Sequence, residues 1–199
     1  MPRTREENDR IRQTTKENIR NAAMEVFIER GYHDASIDDI AKRAGVSKGL
    51  LYNYYKGKEE LLNEMVLCRV DEITQVMQTA AALSSPAEQL KHIIEGALDN
   101  VGQRPKVYRF YLHLQTQPEE DQVLSKYSQM LNEAMAEQFE VQCGMFAELE
   151  GANAPLKSLY FSSTLHGTML MMSIYPEKYP VEEMKKQIIE QFCVLSSER

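Results

Sequence analysis

The chain has 199 residues, 43% of them hydrophobic and 27% charged, with a formal net charge of −7. That length allows one large domain or two small ones, and the negative average argues against generic nucleic-acid binding. Only 9 glycines and 7 prolines are present, which disfavours a turn-rich all-β fold.

Nearly every segment reads as helix. Residues 1–13 are polar and carry Arg3, Arg5, Arg10 and Arg12, as a mobile arm would. Thr14 and Glu17 have capping-box spacing, so a first helix is expected from about Thr15 to Arg30. It would place Ile19, Ala22, Ala23, Val26 and Phe27 on one face and stop at Gly31. Ser36 is a natural N-cap for a second helix, with Asp38 and Asp39 at its positive end and Ile37, Ile40, Ala41 and Ala44 at helical spacing. Gly45 ends it, Val46 plugs the turn, and Ser47 caps a third helix. Two short helices around a Gly-containing turn form a helix-turn-helix pattern.

A long helix follows from about Lys58 to Ala82, striped by Leu61, Leu62, Met65, Val66, Val70, Ile73, Val76 and Met77. Pro86 opens the next, and Gly102 and Pro105 punctuate before a short aromatic helix, Lys106 to Gln115. Pro118 precedes a long helix to about Leu149. Gly151 and Pro155 separate it from a run, Ser158 to Pro176, with no charged residue in 19 positions. Its Ser, Thr and His content and moderate apolarity exclude a membrane span and favour a helix buried on most sides. A last helix runs from Val181 to about Leu195. The expected domains are residues 1–58 and 59–199.

Charge divides along the same line. Residues 1–58 hold 12 Lys/Arg against 9 Asp/Glu, and residues 59–199 hold 11 against 21. A basic front end on an acidic body suggests one polyanion-facing module and a body with another task. Helix N-termini at Ser36 and Ser47 can face phosphate, Lys48 adds a cation, and Gly49 permits close approach. Leu51 and Tyr55 should point to the core. That leaves Lys48, Leu50, Tyr52, Asn53 and Tyr54 outward. Asn can read adenine, an apolar side chain can touch a thymine methyl, and Tyr hydroxyls can position the helix on phosphates.

The stretch GYHDASIDDIAKRAGVSKGLLYNYYKGKEEL resembles the DNA-binding signature of the TetR family of transcriptional regulators. The likeness covers about residues 15–62 and joins Gly31-Tyr32, Ile40-Ala41, the run Ala44 to Gly49, Leu51-Tyr52 and Lys58-Glu59. It implies an all-α chain: a three-helix DNA-binding head, whose third helix enters the major groove, and a body of about six helices. Ser36, Ser47, Lys48, Gly49, Leu50, Tyr52, Asn53, Tyr54 and Lys58 are the candidate DNA-contacting residues. The sequence departs from the family pattern at Ala35, where Thr is frequent, at Tyr55, where Phe is usual, and at Gly57. Leu50 and Asn53 are the expected operator-discriminating positions.

The resemblance also implies a homodimer built from the last two helices, and the sequence supports one. The uncharged helix carries Leu159, Ser162, Ser163, Leu165, Gly167, Met169 and Leu170, and the last helix Met184, Ile188, Phe192 and Leu195. Two such pairs would make a four-helix bundle. A ligand pocket among helices four to eight is implied as well, with Tyr108, Tyr111, His113, Tyr127, Met135, Phe139 and His166 as candidates by chemistry. The 11 Met residues suit an adaptable apolar cavity. The resemblance further implies that a bound effector tilts the fourth helix and releases a near-palindromic operator, as in a repressor, an activator of the same fold being the alternative.

No G-x-S-x-G, H-E-x-x-H or phosphate-cradling Gly loop is present, so no enzyme is expected. No cofactor or metal is expected either, because the His and Cys residues are scattered singletons. Cys68, Cys143 and Cys193 do not read as a disulfide framework, and no apolar segment follows Met1, so a cytoplasmic protein without a signal peptide is expected.

Overall fold

A computed structural model describes residues 4–150 and 153–193, and nine α-helices are the regular elements among them. They are α1 (Arg5–Arg30), α2 (Ile37–Ala44), α3 (Lys48–Tyr52), α4 (Lys58–Ala81), α5 (Pro86–Gln103), α6 (Pro105–Gln115), α7 (Leu124–Glu150), α8 (Ala154–Ile174) and α9 (Val181–Cys193). The chain divides into two compact units, one up to Leu67 and one from Cys68 onward, so α4 belongs to both. Arg3 of the expected arm, Gly151 and Leu195 lie outside the described residues.

The first unit, the head, packs α1 against α2 and α2 against α3. Ile19, Ala23 and Phe27 of α1, Ile40 of α2, Leu51 of α3 and Leu61 of α4 are all buried. Gly45 closes α2 in the left-handed conformation (φ 67°), which glycine adopts without a Cβ clash. The Val46 N–H donates to the Ala41 carbonyl at 3.0 Å and the Gly45 N–H to that of Lys42 at 3.3 Å, a Schellman ending that turns the chain sharply into α3.

One expectation for the head changes. The stretch expected to be a mobile arm is helical from Arg5, because Thr4 and Glu7 form the capping box that Thr14 and Glu17 were expected to form. Thr15 lies inside the helix and donates to the Ile11 carbonyl at 2.8 Å. α3 is short, with Asn53 at its C-terminal cap.

In the second unit, the body, α5 contacts α6, α7, α8 and α9. Its Leu90, Ile93, Ile94, Leu98 and Val101 are buried, and Phe146, Phe161 and Phe192 meet edge to face from α7, α8 and α9. α7 begins at Leu124 rather than directly after Pro118, since the Asp121 carboxylate accepts the N–H groups of Val123 and Leu124 at 3.1 and 2.9 Å. In the uncharged run of α8 two hydroxyls find partners within the unit: Ser173 donates to the Leu170 carbonyl at 2.8 Å and Ser162 to the Gln142 side chain of α7 at 2.9 Å. No helix among the described residues is long and apolar enough to cross a membrane.

Candidate nucleic-acid interface and ligand cavity

The turn between α2 and α3 presents a compact polar surface. The Ser47 hydroxyl accepts the Leu50 N–H at 3.1 Å, which fixes the start of α3 and leaves its own hydrogen to donate. Lys48, Gly49, Leu50, Tyr52 and Asn53 are exposed, Tyr54 is half-buried, and Leu51 and Tyr55 are buried as their spacing predicts. Ser36 is exposed, but Asp39 uses its hydroxyl twice. The Asp39 N–H donates to it at 3.1 Å, and it donates to the Asp39 carboxylate at 2.6 Å.

Lys48 pairs with Asp38 at 2.8 Å, and that carboxylate holds the ammonium above its ordinary pKa. Both partners are more than half exposed, so water screens the pair and a phosphate can compete for the lysine. Lys58 is placed differently from the sequence expectation. Its ammonium donates to the carbonyls of Tyr32, His33 and Ala35 at 2.8, 2.6 and 3.0 Å and lies 4.7 Å from the centre of the Tyr32 ring. An ammonium has three donors, and all three serve the turn before α2, so Lys58 fastens backbone instead of offering a charge to a phosphate.

Sequence reasoning missed two groups on this surface. Arg12 sits with its guanidinium 5.8 Å from the centre of the Tyr54 ring, which places a cation of α1 at the end of α3. The Thr4-x-x-Glu7 pattern was the signal that α1 reaches that far. Asp38 was read only as a helix-dipole partner, although it faces Lys48.

The body holds a cavity of about 120 Å³ among α4, α5, α6, α7 and α8. Of the candidate ligand residues, Tyr108, Tyr111, Met135 and His166 line it. Three others do not. His113 is exposed and bonded to Gln117, Tyr127 is fully buried elsewhere, and Phe139 lies outside the lining. Apolar walls come from Val76, Met77, Ile93 and Leu131. One wall is polar: Arg69 donates to Glu72 at 3.0 Å and stacks 5.6 Å from the centre of the Tyr111 ring.

Burial pushes the Tyr108 phenol up to about 12 against the opposing charge of Arg69, so it is protonated at neutral pH. Burial likewise holds His166 below its ordinary imidazole value, a backbone hydrogen bond at Ser162 working the other way, which favours the neutral ring. A second hollow of about 200 Å³ between α4 and α7 shares Ile73, Met77 and Gln138 with the first.

The expected dimer residues separate into two sets. Leu165 and Met169 line the cavity, and Ile188 and Phe192 are buried within the protomer. Leu159, Ser163, Gly167 and Leu170 are exposed on α8, joined there by Leu156 and Tyr160. An exposed apolar stripe of this length is a recognisable interaction surface.

Residues 19–65, which contain this helix-turn-helix, match the family model for bacterial regulatory proteins of the tetR family. That segment is a tetR-type DNA-binding module. Among curated tetR-type relatives, it is 37% identical over 89 residues to the HTH-type transcriptional activator FasR of Mycolicibacterium smegmatis, a match covering 44% of this chain and 41% of that one. The aligned part is thus less than half of that relative's length. Two solved structures share the fold of this chain. The transcriptional regulator FadR of Bacillus subtilis, in complex with stearoyl-CoA, is 24% identical with a TM-score of 0.66, covering 92% of this chain and 98% of that one. A SmeT–triclosan complex is 17% identical with a TM-score of 0.70, covering 90% of each chain.

Proposed function

We propose that this chain is a sequence-specific DNA-binding transcriptional regulator whose body takes up a small apolar effector. The observation that carries the reading is the surface made by Ser47, Lys48, Leu50, Tyr52 and Asn53, displayed by a sharp helix-turn-helix inside the matched segment. Lys48, Tyr52 and the Arg12–Tyr54 pair grip phosphates, and Leu50 and Asn53 face the bases. Two protomers joined through the exposed stripe of α8 would set two heads on half-sites about 34–36 Å apart, or a multiple of that, along a near-palindrome.

The effector enters the cavity at Tyr108, Tyr111, Met135 and His166. Neighbours of the same fold hold stearoyl-CoA and triclosan, both with large apolar parts. A space of about 120 Å³ suits a ring-sized group; an engineered cavity of about 150 Å³ holds benzene. Binding is proposed to favour a dimer whose heads miss the operator spacing, so that DNA is released and a repressed gene is read. A preference of about 1.4 kcal/mol for that state weakens DNA binding tenfold, and DNA weakens effector binding equally. The same head also serves a relative named as an activator, and an effector-titrated reporter distinguishes the two senses.

Salt titration tests the DNA reading. Affinity for duplex DNA should fall steeply as salt rises, and Lys48→Ala should flatten that slope by about one phosphate contact. Asp38→Asn, which frees the lysine from its partner, should raise affinity severalfold for all sequences alike. A salt-independent affinity, or a Lys48→Ala slope equal to that of the parent protein, would count against the interface.

A further inference from the structure

Tyr108 lies in the first turn of α6, lines the cavity and is 9% exposed. Its hydroxyl oxygen is buried and finds no hydrogen-bond partner among the described residues. A phenylalanine would fill the same space without burying an unmatched polar group. The unpartnered hydroxyl therefore costs stability, a cost that an acceptor reaching it from the adjoining cavity would offset. We propose that the effector is an apolar molecule bearing a carbonyl or carboxylate oxygen, and that the Tyr108 hydroxyl donates the hydrogen bond that holds this oxygen. The inference rests on the reading of the cavity as the effector site and deepens it.

Three observations narrow the chemistry. The phenol stays protonated, so it meets an acceptor as a donor. The positive charge of Arg69 is felt at the same oxygen, which favours a partial or full negative charge there and opposes a cationic ligand. Arg69 is already paired with Glu72, so it is held at the wall and can share a ligand oxygen without reorganising. Val76, Met77, Ile93 and Leu131 make up much of the remaining wall and favour an apolar body. An acceptor-only oxygen at one end of an apolar body satisfies both regions.

Calorimetric titration of the full chain with benzoate, methyl benzoate and toluene tests this, since all three carry one ring and only toluene lacks the oxygen. The first or the second should bind about tenfold more tightly than toluene. Tyr108→Phe should remove that preference and leave toluene unchanged. A stronger benzoate identifies the carboxylate as the recognised form, and a stronger ester the neutral carbonyl; either supports the proposal.

If Tyr108→Phe keeps the preference, or if the parent protein binds all three alike, the hydrogen bond is overturned while the cavity remains an apolar effector site. If none of the three binds the parent protein, the cavity reading and the inference fall together. Ala97→Leu, which narrows the same cavity, should weaken all three; unaltered binding would place the ligands elsewhere and overturn the inference.

Discussion

In the head, polar side chains tie helix to helix and helix to turn. Arg43 reaches from α2 to Glu25 and Glu29 of α1 at 2.8 and 2.6 Å, Arg30 meets Asp39 at 2.8 Å, and Lys58 holds three carbonyls. In the body, contact between helices is mostly apolar and aromatic, and the polar wall of Arg69, Glu72 and Tyr111 borders a space. A short helix such as α3 is marginal by itself, so the Ser47 cap and buried Leu51 hold it while the directional bonds fix the helices and turn around it. A cavity that must open and refill is better made of methionines and branched side chains, which repack. Precision at the proposed DNA surface and adaptability at the proposed effector site thus come from different interactions.

The largest expected contrast lies within α8. Leu165 is 3% exposed and faces the cavity, so Leu165→Asp should bury an unpaired carboxylate and cost more than about 4 kcal/mol, with loss of helical signal at 25 °C. Leu159 is 55% exposed. Leu159→Asp should leave each protomer folded and shift sedimentation from dimer toward monomer. A folded Leu165→Asp would mean that the body core tolerates charge, and a stable Leu159→Asp dimer would move the interface off this stripe.

Lys58→Met tests the head's side of the comparison. The variant keeps the aliphatic stem and removes three charge-assisted hydrogen bonds, so a loss of about 3 kcal/mol in urea unfolding is expected. Its salt slope on DNA should match that of the parent protein, in contrast to Lys48→Ala. A change below about 0.5 kcal/mol, or a flattened slope, would return Lys58 to the phosphate-facing set.

Much of this division is legible in the amino-acid sequence. Period, caps and glycines indicate each of the nine described helices, because these signals depend on residues within a few positions of one another. The cap of α1, expected at Thr14, lies at Thr4. The same local signals separate outward Leu50 and Tyr52 from inward Leu51 and Tyr55. What escapes is long-range. Lys58 meets residues 32–35, Lys48 meets Asp38, and Arg12 meets Tyr54, none of which periodicity can pair. In the body, spacing placed Leu165, Met169, Ile188 and Phe192 on apolar stripes but could not say whether a stripe meets its own chain or a second copy. His113 had suitable chemistry, yet the face of α6 that carries it is exposed.

Glu64 gives a smaller and pH-dependent test of the head's polar framework. Its carboxylate accepts from Lys16 at 2.8 Å, the Tyr55 hydroxyl at 2.9 Å and Arg20 at 3.0 Å. Burial alone would raise its pKa, but these three partners outweigh burial and bring it below the ordinary 4.5. Folding therefore favours the ionised form. The associated stability is present in full above pH 4.5 and is lost as the pH falls through the lower folded-state value. Glu64→Gln removes the titrating group, keeps one oxygen acceptor and turns an amide toward Lys16. At pH 7 it should reduce protection of α1 amides in hydrogen exchange by about 1–2 kcal/mol. As the pH falls below 4.5 and through the lower folded-state value, the parent protein should approach the variant, since its own carboxyl then becomes neutral. A gap of constant size across that range would mean that the three donors contribute through packing and not through the charge they surround.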